Sequence, residues 1–439
     1  MASPTLQTSP EPRRRGWGMK RWLTALLALV LLLAAAGYGL HRHFNNNLTS
    51  IELPEGIGGG EALQGLPKGV AQNIVVIGTD QRQSAENCRL GGSCGDDKLD
   101  GDNNADVLML VHLSADHESL SVVSIPRDTV IDLPDCRATS TPSPSGQEEA
   151  QTGGRGRING TLNNGVECTL RAVHELTGLP ITHFMMVDFA GVISLSDAVG
   201  GVDVCVDADV YDTYSHLKLK QGDHTLQGEA ALQFLRTRHG FGDGSDLGRT
   251  GAQHLYLSSL QRELESLGTL LNPTKVYRLA QAGTKALTVD SGLDDVRHLA
   301  SLGMTLGGVS TEATAFVTLP TEQNPDNPNT VVPAPQAEAL FRKLAQDAPL
   351  ATPSPSPSAS SANSTSSASP SASSSPAASR SAQATPSEPQ ASDSGSPMVS
   401  AEAKQCAKVS TQQTVEIKGV PMTPTEAYAA SPQIPDSTS

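Results

Sequence analysis

Residues 104–128 read NADVLMLVHLSADHESLSVVSIPRD, and with NIVVIGTDQR at 73–82 they decide the fold. They contain three short, mainly apolar runs: Asn73–Gly78, Asp106–Leu113 and Leu120–Ile125. Such runs, bounded by turn residues, read as strands buried on both faces. His183–Val187, Val202–Val206 (after a Gly-Gly turn) and Ala313–Leu319 read as further strands. Between and beyond them the spacing turns helical, at Thr169–Thr177, Phe189–Val199, Leu226–Leu235, Leu247–Leu271, Thr274–Leu287, Leu293–Leu302 and Pro335–Gln346. Leu247–Leu271 is the most amphipathic of these. Strands alternating with helices predict an α/β fold, a central mixed sheet covered by helices on both faces.

The segments outside this core have different compositions. Trp22–Leu40 carries no charge over nineteen residues, about 28 Å as a helix and close to a bilayer core. Arg13, Arg14, Arg15, Lys20 and Arg21 precede it, so residues 1–21 are expected in the cytoplasm and the rest outside the cell membrane. A signal peptide cut near AAAG is the alternative to an uncleaved single-pass anchor. Residues 41–68 read as a linker and 69–347 as one domain, with a flexible insert at 138–156 rich in Ser, Pro, Gly and Gln. Residues 348–439 read as a Ser/Ala/Pro-rich disordered tail, because 351–397 holds no aromatic residue and no Val, Ile or Leu.

The formal net charge is −15, with 46 acidic and 31 basic residues among 439, which argues against a nucleic-acid partner. Six cysteines in an extracytoplasmic domain read as disulfides. Cys88 with Cys94 and Cys136 with Cys168 flank loops and are natural pairs; Cys205 and Cys406 remain, and pairing them would pin the tail to the core.

Charged residues gather at the ends of the expected elements. Asp80 and Arg82 follow the first strand, Asp106 opens the second, and Arg127 and Asp128 follow the third. Arg236 and Arg238 end a helix, while Asp246, Arg249 and Gln253 share one face at the start of the next. Strand ends are the usual ligand edge of an α/β sheet. Arginine forks fit phosphate oxygens, and aspartates on neighbouring loops suit Mg²⁺ (or Mn²⁺) bound together with phosphate. The residues alone therefore point to a metal-assisted phosphate or pyrophosphate site. Taken singly, each is equally a surface ion pair or a helix cap.

NIVVIGTDQR, NADVLMLVHL, SLSVVSIPRDT, RINGTLNNG, VDFAGVISLSDAVGGVDV, LQGEAALQFLRTRHG and DLGRTGAQHLYL, in this order, resemble the LytR–CpsA–Psr family. The resemblance implies a phosphotransferase that moves an anionic glycopolymer from a polyprenyl-pyrophosphate carrier to peptidoglycan. By motif, Asp80 and Asp106 match metal-binding aspartates, and Arg127, Arg236, Arg238 and Arg249 match pyrophosphate-binding arginines. Arg82, Asp246 and Gln253 fall in head-group positions, and Arg157 stands where the family often has lysine. Asp80, Arg127 and Asp246 are the catalytic candidates, either aspartate serving as base. Asn104 departs from the family's arginine, and Arg89 or Lys98 is a candidate replacement. The segments FMMVDFAGVISL and DVLMLV are candidates to line a slot for the prenyl chain, or else to be ordinary core. Two other functions stay open: an extracytoplasmic pyrophosphatase with a water-open site, and a non-catalytic envelope-binding or attenuator-type protein.

Overall fold

Three strands at the centre follow the expected runs closely: β2 (Gln72–Thr79), β3 (Ala105–Leu113) and β4 (Leu120–Ser124), after a short β1 (Thr49–Ile51). The computed structural model describes residues 17–58, 65–79, 104–136, 153–265, 273–350, 399–400 and 405–437. Further along the chain come β5 (Val130–Leu133), β6 (Gly154–Arg157), β7 (His183–Val187), β8 (Val202–Val206), β9 (Val210–Tyr211), β10 (Lys218–Leu219) and β11 (Gly222–Leu226). They are followed by β12 (Leu287–Asp290), β13 (Thr314–Thr318), β14 (Thr321–Gln323), β15 (Val331–Pro333) and β16 (Val399–Ser400). One eight-stranded sheet runs in the order β1-β12-β7-β2-β3-β4-β13-β16. It is mixed: β2 is parallel to β7 and β4 to β13, while β3 is antiparallel to both β2 and β4.

The two-residue alternation of a strand divides these apolar runs between two cores. Val75, Ile77, Leu108, Leu110, Val123 and Val317 point to one face and pack against α2 (Val166–Thr177) and Leu340, Phe341 and Leu344 of a closing helix at Pro335–Ala345. Ile74, Met109, Val111, Val122 and Phe316 point to the other, under Leu302 of a helix at Val296–Gly308. Both faces being covered explains why the strands read as continuous apolar runs.

α3 (Phe189–Val199) starts on the Asp188 carboxylate, which accepts from the Gly191 N–H at 2.8 Å. It ends at Gly200 and Gly201, with φ of 95° and 101°. A Cβ on Gly201 would lie 2.6 Å from Thr225 Cγ2, so only glycine turns the chain into β8 here. A third apolar cluster joins β8 and β11 to α4 (Gly228–Arg236) and α5 (Asp246–Glu265).

Three expectations change. The supposed linker at 41–68 contributes to the fold: α1 (Trp17–Asn45) runs past Leu40, Phe44 is 8% exposed, β1 pairs with β12, and Ile57 is 2% exposed in the main core. The apolar residues are simply too sparse there to announce a strand. In the expected disordered tail, residues 405–437 carry β17 (Val415–Ile417), β18 (Val420–Met422) and a helix at Pro424–Ala430. Their few apolar residues cannot form a core alone, but Ala407 and Val409 complete the β8–α5 cluster and Cys205–Cys406 joins them to β8. Finally, α5 does not bury an apolar stripe. Its covered residues include Gln253, His254, Ser258, Ser259 and Gln261.

Cys136 and Cys168 form the expected disulfide across the 138–156 insert. Cys88 and Cys94 lie outside the described residues. Trp22–Asn45 is long and apolar enough to cross a membrane.

Candidate active site

The loops that carry the expected site residues leave the sheet at one edge. Thr79 at the end of β2 pairs with Ala105 at the start of β3, so the residues preceding Asp80 and Asp106 stand opposite each other. Asp80 and Arg82 themselves lie outside the described residues. β4 runs out to the same edge and delivers Arg127 and Asp128 through the Pro126 turn, where Thr129 Oγ1 and Thr129 N–H both donate to the Pro126 carbonyl, at 2.6 and 3.0 Å.

Here three carboxylates and four guanidinium groups interlock. Arg127 Nη1 donates to Asp106 Oδ1 at 2.5 Å, and its Nε lies 3.6 Å from Asp128 and 3.8 Å from Asp246. Arg249 Nη2 lies 2.5 Å from Asp246 Oδ1 and donates to the Asp106 carbonyl at 3.1 Å. Arg238 lies 3.9 Å from Asp246 and 4.0 Å from Asp128, and Arg157 Nη1 donates to Asp128 at 3.2 Å. Asp246 is in the first turn of α5, where a negative charge also suits the helix N-terminus. The expected common face of Asp246, Arg249 and Gln253 is present, but Gln253 Nε2 donates to the Leu235 carbonyl at 3.0 Å and so ties α5 to the end of α4.

Despite this density the cluster is not satisfied. Arg127 Nε and Arg249 Nε are buried without a hydrogen bond. A buried donor left unmatched costs about 1–3 kcal/mol, so two guanidinium N–H groups are poised for an added acceptor. Burial acts against the charge on Arg127, but Asp106, Asp246 and Asp128 more than offset it and raise its pKa. Burial lowers the Arg249 pKa against the pull of Asp246. Both side chains remain cationic at neutral pH.

The cluster stands at one side of a cavity of about 320 Å³. Asp106, Arg127, Arg236, Arg238, Arg249 and Gln253 line its polar part, while Val76, Met109, Val187, Val192, Leu232, Leu235 and Leu257 line its apolar part. Both segments named as candidate slot walls contribute, through Val187, Phe189 and Val192 and through Val107 and Met109. Arg236 lies over the Phe189 ring at 4.5 Å, a cation–π contact that holds it at the junction of the two parts. Arg157 does not line the cavity and reaches the cluster only through Asp128. Asp128, which the sequence placed in the charged set without a role of its own, meets three arginines, as Asp246 does. Tyr214 and His239, stacked at 4.2 Å on the cavity rim, carried no sequence signal.

As for a metal, no group of three or more His, Cys, Asp or Glu side chains is arranged to hold one among the described residues. Asp106 is the described member of the expected pair, and Arg127 already occupies its Oδ1. A hard cation fits this donor set only alongside a ligand that draws the arginine away and adds oxygens of its own.

The sequence model of the LytR_cpsA_psr family matches residues 60–346. Cell wall biosynthesis protein LcpA of Corynebacterium glutamicum is 32% identical over 312 residues, 66% of this chain and 58% of that protein. Polyisoprenyl-teichoic acid–peptidoglycan teichoic acid transferase TagU of Bacillus cereus is 25% identical over 278 residues, 62% of this chain and 80% of that protein. A solved LytR-Csp2A-Psr enzyme from Actinomyces oris superposes with a TM-score of 0.48 at 22% identity, over 68% of this chain and 96% of that one. The chain spans little more than half the length of LcpA and of its Corynebacterium relative LcpB, 58% and 53%.

Proposed function

This chain belongs to the LytR_cpsA_psr family, and on that premise we propose that it transfers an anionic glycopolymer from a polyprenyl-pyrophosphate carrier to peptidoglycan at the cell envelope. The observation that carries this reading is the junction of an arginine cluster, holding buried unmatched donors, with an apolar cavity. A prenyl pyrophosphate has this same division into anionic head and greasy tail. The apolar part of the cavity favours this reading over the pyrophosphatase, which has no use for a lipid slot.

In the proposed reaction an acceptor hydroxyl of peptidoglycan attacks the phosphorus nearer the polymer. The new P–O bond forms as the bond to the bridging oxygen breaks, and polyprenyl phosphate leaves with the electron pair. Arg127, Arg236, Arg238 and Arg249 hold the pyrophosphate oxygens and stabilise the charge that builds on them. Arg82 and Gln253 complete the head-group contacts, and Arg157 acts through Asp128. The acceptor's proton passes to Asp80 or Asp246. Asp80 and Asp106 are the residues proposed to hold Mg²⁺ or Mn²⁺, which when bound neutralises phosphate charge. The basic residues before Trp22 support an N-terminus in the cytoplasm and a catalytic domain outside.

The test uses full-length protein in detergent with a polyprenyl-pyrophosphate-linked glycopolymer and peptidoglycan fragments. Covalent polymer on the fragments, with stoichiometric release of polyprenyl phosphate, is expected. Free polymer phosphate without attachment supports the hydrolase, and no turnover with intact lipid binding supports the binding protein.

A further inference from the structure

The folded part of the C-terminal region is a strap that lies against the loop joining α4 to α5. This loop, residues 237–245, leaves Arg238 at its start and hands the chain to Asp246 and Arg249 at its end. The strap closes it by main-chain contacts: Ser410 N–H donates to the Gly240 carbonyl at 2.9 Å, and Gly242 N–H donates to the Lys408 carbonyl at 2.8 Å. Thr414 Oγ1 adds a side-chain bond, donating to the His239 carbonyl at 2.6 Å. The loop is built to receive it. Gly244 has φ of 76°, and a Cβ there would lie 2.2 Å from Thr414 Cγ2.

The strap is fixed at both ends, so these contacts are held in place. Cys406 is bonded to Cys205 on β8. At the other end, buried Lys218 Nζ donates to the carbonyls of Ser431 and Ile434 at 2.8 and 2.5 Å, and lies 4.6 Å from the Tyr428 ring centre. The strap also packs Val415 and Ala427 on Tyr211, beside the Asp212–Ser215 turn on the cavity rim. That turn is joined to the loop through Ser215 Oγ and Thr237 Oγ1 at 2.7 Å and through His239 N–H to Asp212 Oδ2 at 3.1 Å.

We propose that Thr414 is a positioning residue for the arginine cluster: its hydroxyl fixes the His239 carbonyl, and with it the loop that sets Arg238 against Asp246. The link to pyrophosphate rests on the function proposed above; the link between strap and loop does not. Thr414→Val keeps the shape and both anchors but removes the donor, whereas Thr414→Ser keeps the donor.

Two measurements on the full-length protein separate the possibilities. Amide hydrogen exchange at Gly242 and Gly244 should quicken about tenfold in Thr414→Val, as for one lost hydrogen bond, and stay near wild type in Thr414→Ser. Binding of farnesyl pyrophosphate should weaken by a similar factor in Thr414→Val alone. Binding is reciprocal, so farnesyl pyrophosphate should also slow exchange at the Ser410 amide of the wild-type strap. Unchanged exchange in Thr414→Val overturns the proposal, as does weakening in Thr414→Ser as large as or larger than in Thr414→Val, which would assign the effect to the methyl group packed on Gly244. Wild-type protein that binds farnesyl pyrophosphate but transfers no polymer overturns the proposed activity and leaves the positioning role standing.

Discussion

Replacing Arg127 with alanine separates an active-site role from a structural one. Arg127 is 24% exposed at its side chain and contacts Asp106, Asp128 and Asp246. Its Nε–H is one of the buried donors without an acceptor. If that donor and the Nη groups meet pyrophosphate oxygens, alanine removes at least one charge-assisted hydrogen bond. Such a bond contributes about 1.5–3 kcal/mol, so the Kd for a prenyl pyrophosphate should rise roughly ten- to a hundredfold. Stability should change far less. Asp106 is itself 24% exposed and can rehydrate, while Asp128 and Asp246 keep Arg157, Arg238 and Arg249 beside them. With its carboxylates able to rehydrate or re-pair, losing this partly exposed pair should cost on the order of 1 kcal/mol, a few degrees in Tm for a domain of this size. Isothermal titration with farnesyl pyrophosphate and thermal unfolding of the same preparation check the two halves. Wild-type affinity with an unchanged Tm would refute the reasoning, and a collapse in Tm would reassign Arg127 to the fold.

The metal proposal predicts that transfer falls in EDTA and returns with Mg²⁺, and that Asp106→Asn abolishes the return with little change in the metal-free Tm; equal turnover in EDTA removes the role. Burial pushes His254 down to about 4 from 6.5. The unfolded chain therefore takes up its proton first, and the stability held above pH 6.5 is lost as pH falls toward 4. At pH 5 this amounts to roughly 2 kcal/mol, which urea unfolding of His254→Gln should show as a flatter pH profile. Opening the Cys136–Cys168 bridge, which spans 32 residues, should cost about 3–4 kcal/mol on the chain-entropy view, read as a lower urea midpoint for Cys136→Ser with Cys168→Ser. Carbonate washing should leave the full-length chain in the membrane fraction; its release, or an N-terminus found near Gly37, would refute the anchor.

Local chemistry made much of the fold legible. The five inner strands of the sheet, β7, β2, β3, β4 and β13, are buried on both sides, so their apolar runs are unbroken and their limits fall within a residue or two of those read from the sequence; the outer β1, β12 and β16 are short and gave no such run. The Phe189–Val199 helix has an Asp cap at one end and a Gly-Gly turn at the other, and both limits were readable. α5 was misread because its buried side carries Gln253, His254 and Gln261, whose partners are remote: Leu235 O, Ser124 Oγ and the Val309 carbonyl. No periodicity rule sees a polar interior satisfied by distant groups. The strap was missed for a related reason, since its apolar residues are few and become buried only on the β8–α5 cluster. The arginines were found because strand and helix ends collect ligands; Asp128 was found with them, but its position alone did not say that it would join Arg127, Arg157 and Arg238.

The buried polar face of α5 accounts for the site's readiness. Gln253 fixes the end of α4, which carries Arg236, and Asp246 with Arg249 lies one and two turns before it on the same face. The arginines therefore rest against Asp106, Asp128 and Asp246 instead of projecting freely into water. On the proposed function, a pyrophosphate would take over their N–H groups without a large rearrangement, and the buried Nε donors of Arg127 and Arg249 would gain acceptors that the carboxylates do not supply. As guanidinium groups turn to phosphate, Asp106 is released from Arg127. One carboxylate in a water-accessible position beside a newly bound anion is a weak cation site alone and a much better one with phosphate oxygens. Metal binding should therefore depend on pyrophosphate, and pyrophosphate binding should tighten with metal by the same factor.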